Sequence, residues 1–188
     1  MKIAPYTERW NEGERDWSFV EDPRSDIEQW ERRESLLLPP DYRHFLLKFN
    51  GGSVYPRLFK NTIGPLQLGP YVDNSSEDYV DLIHNWKTVE SHWRGEIYGE
   101  GVPPKHLVIA ETPGPVQLLM SLNSANFGAV YSWVHSTNKW GTDGNTEIFP
   151  QAHNFKVFLH SLYDDQEQSD YESWHLPIYD KLARELDI

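Results

Sequence analysis

The sequence predicts one α+β domain, in which a central and mostly antiparallel sheet is flanked by helices. From residue 22 to residue 94 apolar side chains mostly recur at helical spacing. From residue 107 to residue 149 short apolar runs alternate with turn residues, a pattern typical of a strand meander. No linker-like stretch divides the 188 residues, and this length suits a single domain.

A short, charged helix is predicted to open the domain. Asp22-Pro23 is a helix-start signal, and Ser25 with Glu28 three positions later has the spacing of a capping box. Pro39-Pro40 ends this helix. Residues 1–21, which show no clean period, are expected to form an N-terminal extension that packs on the domain of residues 22–163.

The second helix has the clearest pattern. Its apolar stripe has the spacing i, i+3, i+4 and i+7 and consists of Tyr42, Phe45, Leu46 and Phe49. Asn50-Gly51-Gly52 closes the helix, because these residues tolerate the left-handed backbone of a helix end. Two short strands are predicted next, over residues 54–59 and 63–68.

A third helix is predicted from a cap at Ser75 or Ser76 to about Arg94 and places His84 and His92 eight residues apart. Four strands follow at residues 107–111, 116–122, 129–135 and 146–149. A helix with Phe155, Phe158, Leu159 and Leu162 on one face comes next. Residues 164–188 are predicted to form an acidic loop and a helix that begins at Pro177 and includes Leu186.

Composition excludes several classes of protein. Without cysteine there are no disulfides, thiolate zinc sites or thiol nucleophiles, and a net charge of −12 argues against a protein that grips nucleic-acid phosphates. No apolar run reaches the roughly 18–20 residues of a membrane span, and the first residues lack a signal-peptide core. We therefore expect a cytoplasmic protein.

Acidic residues concentrate in two segments. Residues 161–188 hold eight acids and two bases, so they contribute −6 to the net charge. A second, base-free cluster consists of Asp73, Glu77, Asp78 and Asp81. Such runs form either a solvated face or a surface that attracts a basic partner.

Nothing in the sequence marks a catalytic centre, a metal site or a cofactor site. His84 and His92 have a poor spacing for metal binding, and Asp164, Asp165 and Glu167 lack the spacing and the turn glycine of a calcium loop. An enzyme, such as a hydrolase with a carboxylate pair, is therefore disfavoured. Trp140 lies in a polar loop beside Asp143, where it serves either as a binding anchor or as a cover for the sheet end.

The order of several motifs resembles the SUKH superfamily, in the branch related to the fungal cell-wall-synthesis regulators. The motifs are Leu38-Pro39-Pro40-Asp41-Tyr42, Asn50-Gly51-Gly52, Leu107-Val108-Ile109-Ala110, Gly128-Ala129-Val130-Tyr131-Ser132-Trp133 and Phe155-Lys156-Val157-Phe158-Leu159. Residues Leu38, Pro39, Tyr42, Asn50, Gly51, Gly52, Gly128, Tyr131 and Trp133 read as structural positions of this fold.

The resemblance implies, for bacterial members, an immunity protein that binds and neutralises a cognate polymorphic toxin, often a nuclease, by blocking its active site. Fungal members act as signalling scaffolds, so a regulatory interaction module without a toxin is the alternative. We expect a basic protein toxin as partner, and neither nucleic acid nor membrane. The acid-rich segments predict the partner-binding residues, which are Asp73, Glu77, Asp78, Asp81, Trp140, Asp143, Asp164, Asp165 and Glu167.

Overall fold

The computed structural model describes residues 1–4, 22–63, 77–164 and 184–188, and within these ranges the chain forms four α-helices and ten short strands. The helices are α1 (Arg24–Glu34), α2 (Pro40–Phe49), α3 (Trp86–Trp93) and α4 (Phe155–His160). The strands are β1 (Lys2–Ala4), β2 (Ser53–Tyr55), β3 (Leu58–Lys60), β4 (Glu77–Tyr79), β5 (Leu82–Ile83), β6 (His106–Glu111), β7 (Val116–Ser121), β8 (Val130–Val134), β9 (Phe149–Ala152) and β10 (Arg184–Glu185).

The main sheet has five antiparallel strands in the order β5-β6-β7-β8-β9, and this confirms the predicted α+β class with its antiparallel meander. Two smaller sheets, β10-β1-β2 and β3-β4, accompany it. An antiparallel bridge pairs Gly52, the residue before β2, with Ile83 of the edge strand β5. Within the described residues, none of the helices is long and apolar enough to cross a membrane.

Helices α1 and α2 form where apolar stripes meet the core. Ile27 and Trp30 of α1 are fully buried, and the four stripe residues predicted for α2 are buried as well. The predicted capping box of Ser25 and Glu28 is wrong, because α1 starts at Arg24, whose N–H donates to Asp22 Oδ1 at 3.0 Å. Asn50 ends α2 in the left-handed conformation with φ 49°, as the motif predicts.

The third helix begins later than its apolar spacing predicts. Residues 77–79 and 82–83 are strands, and α3 starts only at Trp86, where Asn85 Oδ1 accepts the N–H of Thr88 at 2.9 Å. Leu82 and Ile83 pair with Glu111 and Ala110 of β6. The backbone hydrogen bonds of this pairing outweigh the helical spacing of the side chains.

Three further predictions need correction or fall outside the described residues. The last meander strand covers residues 149–152 instead of 146–149, since the loop before it uses Asn145 as an internal hydrogen-bond partner. Arg184 and Glu185 form β10 beside β1, so the helix predicted to reach Leu186 is wrong at its end. The predicted strand 63–68 lies outside the described residues after Ile63, as does the start of the C-terminal helix at Pro177.

One face of the main sheet and the helices enclose the main core. Trp30 of α1 contacts Trp86 and Trp93 of α3 edge to face, with ring centroids 5.4 and 5.3 Å apart. The rings of Tyr42 in α2 and Phe155 in α4 also contact edge to face, with centroids 4.9 Å apart. The structural motif residues Leu38, Pro39, Asn50, Gly51, Gly52, Gly128 and Trp133 are all buried, whereas Tyr131 is half-buried.

Gly51 shows why the Asn-Gly-Gly motif tolerates no larger residue at its centre. Its φ is +88°, and a Cβ atom there would lie 2.6 Å from the backbone nitrogen of Asn85. The side chain of Asn50 accepts a hydrogen bond of 2.8 Å from the N–H of Trp86. The motif therefore joins the end of α2 to the start of α3, and glycine permits the close approach.

Candidate partner-binding site

The second face of the main sheet carries a separate, smaller apolar cluster. Val108, Leu119 and Trp133 are buried there, and alternation along β6, β7 and β8 points them away from the main core. The side chains that pack over them come from the segment before β6 and from the loop between β8 and β9, and they are Tyr98, Val102, Trp140 and Ile148, together with Tyr131 of β8. We call the segment of residues 135–148 the β8–β9 loop.

Asn145 holds the β8–β9 loop in one shape. Its Oδ1 accepts the indole N–H of Trp133 at 2.8 Å, and its Nδ2 donates to the carbonyls of Gly101 at 2.7 Å and Asn138 at 2.8 Å. Its backbone also bonds to Gly141 and Thr142. The side chain is 4% exposed, so these bonds form in a largely desolvated place and fix the loop on the sheet.

A groove with a volume of about 310 Å³ opens beside this loop. It is lined by the end of β8 and by the far side of the loop, and the lining residues include Val134, His135, Asp143, Glu147 and Phe149. Asp143 is exposed and has a left-handed backbone with φ 47°. The lining therefore includes two acidic residues, a histidine and two apolar residues.

A column of stacked rings runs inward from the groove. His135 stacks on Tyr98 with centroids 5.3 Å apart, Tyr98 stacks on His92 at 5.1 Å, and His92 lies 5.1 Å from His84. The two inner histidines were expected on one helix, but His84 follows strand β5 and His92 belongs to α3. The turn at Asn85 brings them together.

Burial keeps the inner histidines uncharged. Desolvation, with a smaller contribution from the charge of His92, lowers the pKa of His84 to about 3. Desolvation alone lowers the pKa of His92 to about 4. At neutral pH both rings are neutral, so they act as polar aromatic packing.

Asp81 and Glu111 form an acidic pair where β5 meets β6. The N–H of Asp81 donates to the carbonyl of Glu111 at 2.9 Å. Burial, and then the charge of Asp81, raises the pKa of the Glu111 carboxyl, while burial and the charge of Glu111 raise the pKa of Tyr98. Among the described residues no Lys or Arg lies within 4.0 Å of Asp81, Glu111 or Asp143.

The basic residues that pair with acids do so elsewhere. Arg33 and Arg94 both contact Glu90, at 3.0 and 2.9 Å. Lys139, the only Lys or Arg of the β8–β9 loop, contacts Glu100 at 3.1 Å. Negative charge is therefore balanced near α1 and α3, whereas Asp143 and the pair Asp81–Glu111 have no basic partner among the described residues.

The predicted partner-binding residues occupy different places. Asp143 lines the groove, Trp140 is half-buried against the small apolar cluster, and Asp81 is exposed. Asp78 is turned toward the protein: its Oδ1 accepts the N–H of Tyr79 at 2.8 Å, and burial raises its pKa. The carboxylate of Asp164 accepts a hydrogen bond from the hydroxyl of Tyr55.

Three of the nine predicted residues, Asp73, Asp165 and Glu167, lie outside the described residues, and for Glu77 only the backbone is described. The sequence predictions missed His135 and Glu147 as groove residues and Asn145 as the residue that shapes the loop. An available signal was the series Gly141, Asp143-Gly144 and Asn145, because clustered turn residues mark a loop of defined shape. Within the described residues no group of three or more His, Asp or Glu side chains is arranged to hold a metal ion.

Comparison with known proteins shows that the chain matches a family. The sequence model of the SMI1 / KNR4 family (SUKH-1) matches residues 24–161. This range begins with α1, ends one residue after α4 and contains the groove and the ring column. No curated protein sequence matches the chain significantly.

Proposed function

Because the chain belongs to the SMI1 / KNR4 family (SUKH-1), whose model matches residues 24–161, we propose that it is an immunity protein. In this role it binds a cognate protein toxin in the cytoplasm and blocks the toxin's active site, without catalysing a reaction itself. The family membership makes an immunity-type function consistent with the fold. The negative surface charge of this chain supports a basic protein as the partner.

The observation that carries the proposal is the negative charge of Asp143, Asp81 and Glu111, which have no Lys or Arg within 4.0 Å in the described part of the chain. Asp143 and Glu147 line the groove, and Asp81 and Glu111 form a second acidic pair. The ring column reaches the groove at His135, and the charge of Glu111 helps to raise the pKa of Tyr98 in the same column. A surface of this kind attracts a basic partner and speeds the first encounter.

A nuclease toxin fits this surface better than a toxin with an acidic active site. A nuclease holds phosphate groups with Lys and Arg side chains. Carboxylates placed on those side chains occupy the positions of the phosphates and exclude the nucleic acid. We therefore propose a basic, nuclease-type toxin as the partner, with Trp140 as an aromatic contact at the edge of the site.

The test is co-expression with the protein toxin encoded by the neighbouring gene. We expect cells that carry both genes to grow, and the two proteins to co-purify in equal amounts. The variant D143N/E147Q should protect less well than D26N/E185Q, which removes the same charge from two exposed acids outside the groove. If the wild-type chain neither protects nor co-purifies, and instead recovers host signalling proteins, the chain is a regulatory module and the proposal is wrong.

A further inference from the structure

We propose that Asp143 is a site of spontaneous covalent modification, at which its side chain closes a succinimide ring with the backbone nitrogen of Gly144 and then opens to isoaspartate. The reaction needs neither an enzyme nor a cofactor, because both reacting groups belong to this chain. It goes beyond the proposed function and does not depend on it. The exposed turn of the β8–β9 loop carries the argument.

The reaction loses one water molecule and then regains one. The nitrogen of Gly144 attacks Cγ of the protonated Asp143 carboxyl, so that an N–Cγ bond forms, and the carboxyl hydroxyl leaves as water with the amide proton. Water then adds to one ring carbonyl and breaks the bond of that carbon to nitrogen. Opening at the backbone carbonyl leaves the main chain running through Cγ, which is isoaspartate, and opening at Cγ restores aspartate. The net change is an isomerisation, so nothing is oxidised or reduced.

Two peptide bonds of the chain have the sequence that this chemistry favours. They are Asn50-Gly51 and Asp143-Gly144, since each other glycine follows a residue that is neither Asn nor Asp. Glycine favours the ring, because it has no Cβ atom beside the attacking nitrogen and leaves the backbone free to rotate. The sequence alone ranks Asn50 first, because an amide loses ammonia more readily than a carboxyl loses water. The structure reverses this order.

Asp143 and Gly144 lie at the exposed tip of the β8–β9 loop. The residues from Gly141 to Gly144 are all exposed. A Cβ atom built on Gly144 would have nothing within 4 Å apart from its chain neighbours, so the peptide can rotate without a clash. Within the described residues the N–H of Gly144 donates to no acceptor, and Asp143 accepts from Asn138 Nδ2 through its backbone carbonyl at 3.4 Å. Both reacting groups are therefore accessible.

The core protects Asn50-Gly51 from the same reaction. Asn50 is 5% exposed, and its Oδ1 accepts the N–H of Trp86 at 2.8 Å. A Cβ atom on Gly51 would lie 2.6 Å from the backbone nitrogen of Asn85, so this peptide is packed against neighbouring main chain and has no room to rotate. Ring closure at Asn50 therefore requires the domain to open, and the open form is about one molecule in a thousand or fewer.

Conversion changes the turn that carries Asp143. The N–H of Gly141 donates to the carbonyl of Asn145, and the N–H of Asn145 donates to the carbonyl of Thr142, both at 2.8 Å. Isoaspartate inserts one carbon atom into the main chain inside this turn and moves the carboxylate to the former backbone carbonyl. The negative charge stays in the loop but shifts relative to His135 of the groove. An aged molecule therefore has a different groove from a new one.

The experiment incubates the full native chain for several weeks at physiological temperature and neutral pH, beside a sample unfolded in guanidinium chloride. Trypsin cleaves after Lys48, Arg57, Lys139 and Lys156 and releases peptides 49–57 and 140–156. In the native sample we expect a second form of peptide 140–156 with unchanged mass, whose electron-transfer fragments place isoaspartate at position 143. Peptide 49–57 should keep its mass, because deamidation of Asn50 would raise it.

The two samples and one variant make the inference falsifiable. The native rate at Asp143 should lie within roughly tenfold of the unfolded rate, since loop tips open at little cost in free energy. At Asn50 the native rate should be lower by about a thousandfold or more. Asp143→Glu keeps the charge but needs a larger ring that closes far more slowly, so the second form of peptide 140–156 should disappear.

Three outcomes would overturn the inference. They are isoaspartate at position 143 in the unfolded sample alone, native modification of Asn50 as fast as that of Asp143, and a second form of peptide 140–156 that persists in Asp143→Glu. Each outcome concerns the modification by itself and leaves the proposed neutralisation of a toxin untouched.

Discussion

The indole Nε1 of Trp133 donates a hydrogen bond of 2.8 Å to Oδ1 of Asn145, and this bond connects the second face of the sheet to the loop that shapes the groove. Trp133 is 1% exposed and Asn145 is 4% exposed. The amide of Asn145 also donates to the carbonyls of Asn138 in the loop and of Gly101 before β6, so one side chain organises the site. Its replacement should affect both the stability of the domain and the shape of the groove.

We predict that Asn145→Ala lowers the free energy of unfolding by about 2–3 kcal/mol, because it leaves the buried indole N–H and two carbonyls without their partner. Urea unfolding followed by Trp fluorescence measures this loss. Asn138→Ala is the control, since the Asn138 side chain is exposed and makes one long hydrogen bond of 3.4 Å. A change of less than about 0.5 kcal/mol is expected there. Equal losses in both variants would show that Asn145 has no special role.

Removing the hydroxyl of Tyr42 and removing that of Tyr131 should have different effects on the free energy of unfolding. Tyr42 is fully buried, burial raises its pKa, and its hydroxyl has no hydrogen-bond partner in the described part of the chain. We predict that Tyr42→Phe leaves the free energy of unfolding unchanged or raises it by about 1 kcal/mol, because an unsatisfied polar group leaves the core. Tyr131→Phe should cost about 1 kcal/mol, since the Tyr131 hydroxyl accepts from Asn126 Nδ2 at 2.6 Å. The reverse order in urea unfolding would contradict the structure.

Acid should destabilise the domain through His84 and His92. Their pKa values of about 3 and about 4 lie below the ordinary value of 6.5, so the unfolded chain binds more protons in this interval. The stabilisation from keeping both rings neutral is complete above pH 6.5 and falls as the pH decreases toward 4. We predict a loss of roughly 4 kcal/mol between pH 7 and pH 5, about 2 kcal/mol from each ring.

Two histidine variants test whether the buried pair causes this pH dependence. His92→Gln should flatten the curve of unfolding free energy against pH, whereas His153→Gln, at an exposed position, should keep the wild-type slope. Asp78 and Glu111, whose pKa values are raised by burial, act in the opposite direction at lower pH and are present in both variants. Identical slopes in the two variants would remove the histidine pair as the cause.

The association rate with the toxin should depend on salt. If the acidic surface steers a basic partner, the rate constant should fall roughly tenfold or more between about 0.05 M and about 0.5 M NaCl, because ions screen the attraction. Stopped-flow fluorescence of the Trp residues measures it. D143N/E147Q should lower the rate constant at low salt more than D26N/E185Q does. A rate constant that does not change with salt would exclude steering.

Much of the fold could be predicted from the sequence where local pattern and long-range pairing agree. The stripe of α2 and the left-handed Asn50 are determined by neighbouring residues, so the prediction was confirmed. Residues 77–83 have helical spacing but form β4 and β5, because they hydrogen-bond to strands distant in sequence. The capping box of Ser25 and Glu28 was wrong because Asp22 already accepts the first N–H of the helix.

The site was less predictable than the fold, because it depends on contacts between distant segments. Composition indicated Asp143 and Trp140, and both lie at the β8–β9 loop. It could not indicate that His135 stacks on Tyr98, or that His84 and His92 meet across a strand–helix turn. It also could not distinguish Asp143, which faces the groove, from Asp78, whose carboxylate is turned toward the protein.

Titration of the purified toxin with the purified chain is the most direct test of the central claim. The account predicts that toxin activity falls linearly with added chain and reaches zero at one chain per toxin molecule, because the inhibitor occupies the active site. The variant D143N/E147Q should require an excess over the toxin to reach the same inhibition. Full toxin activity in the presence of a large excess of the wild-type chain would contradict the account.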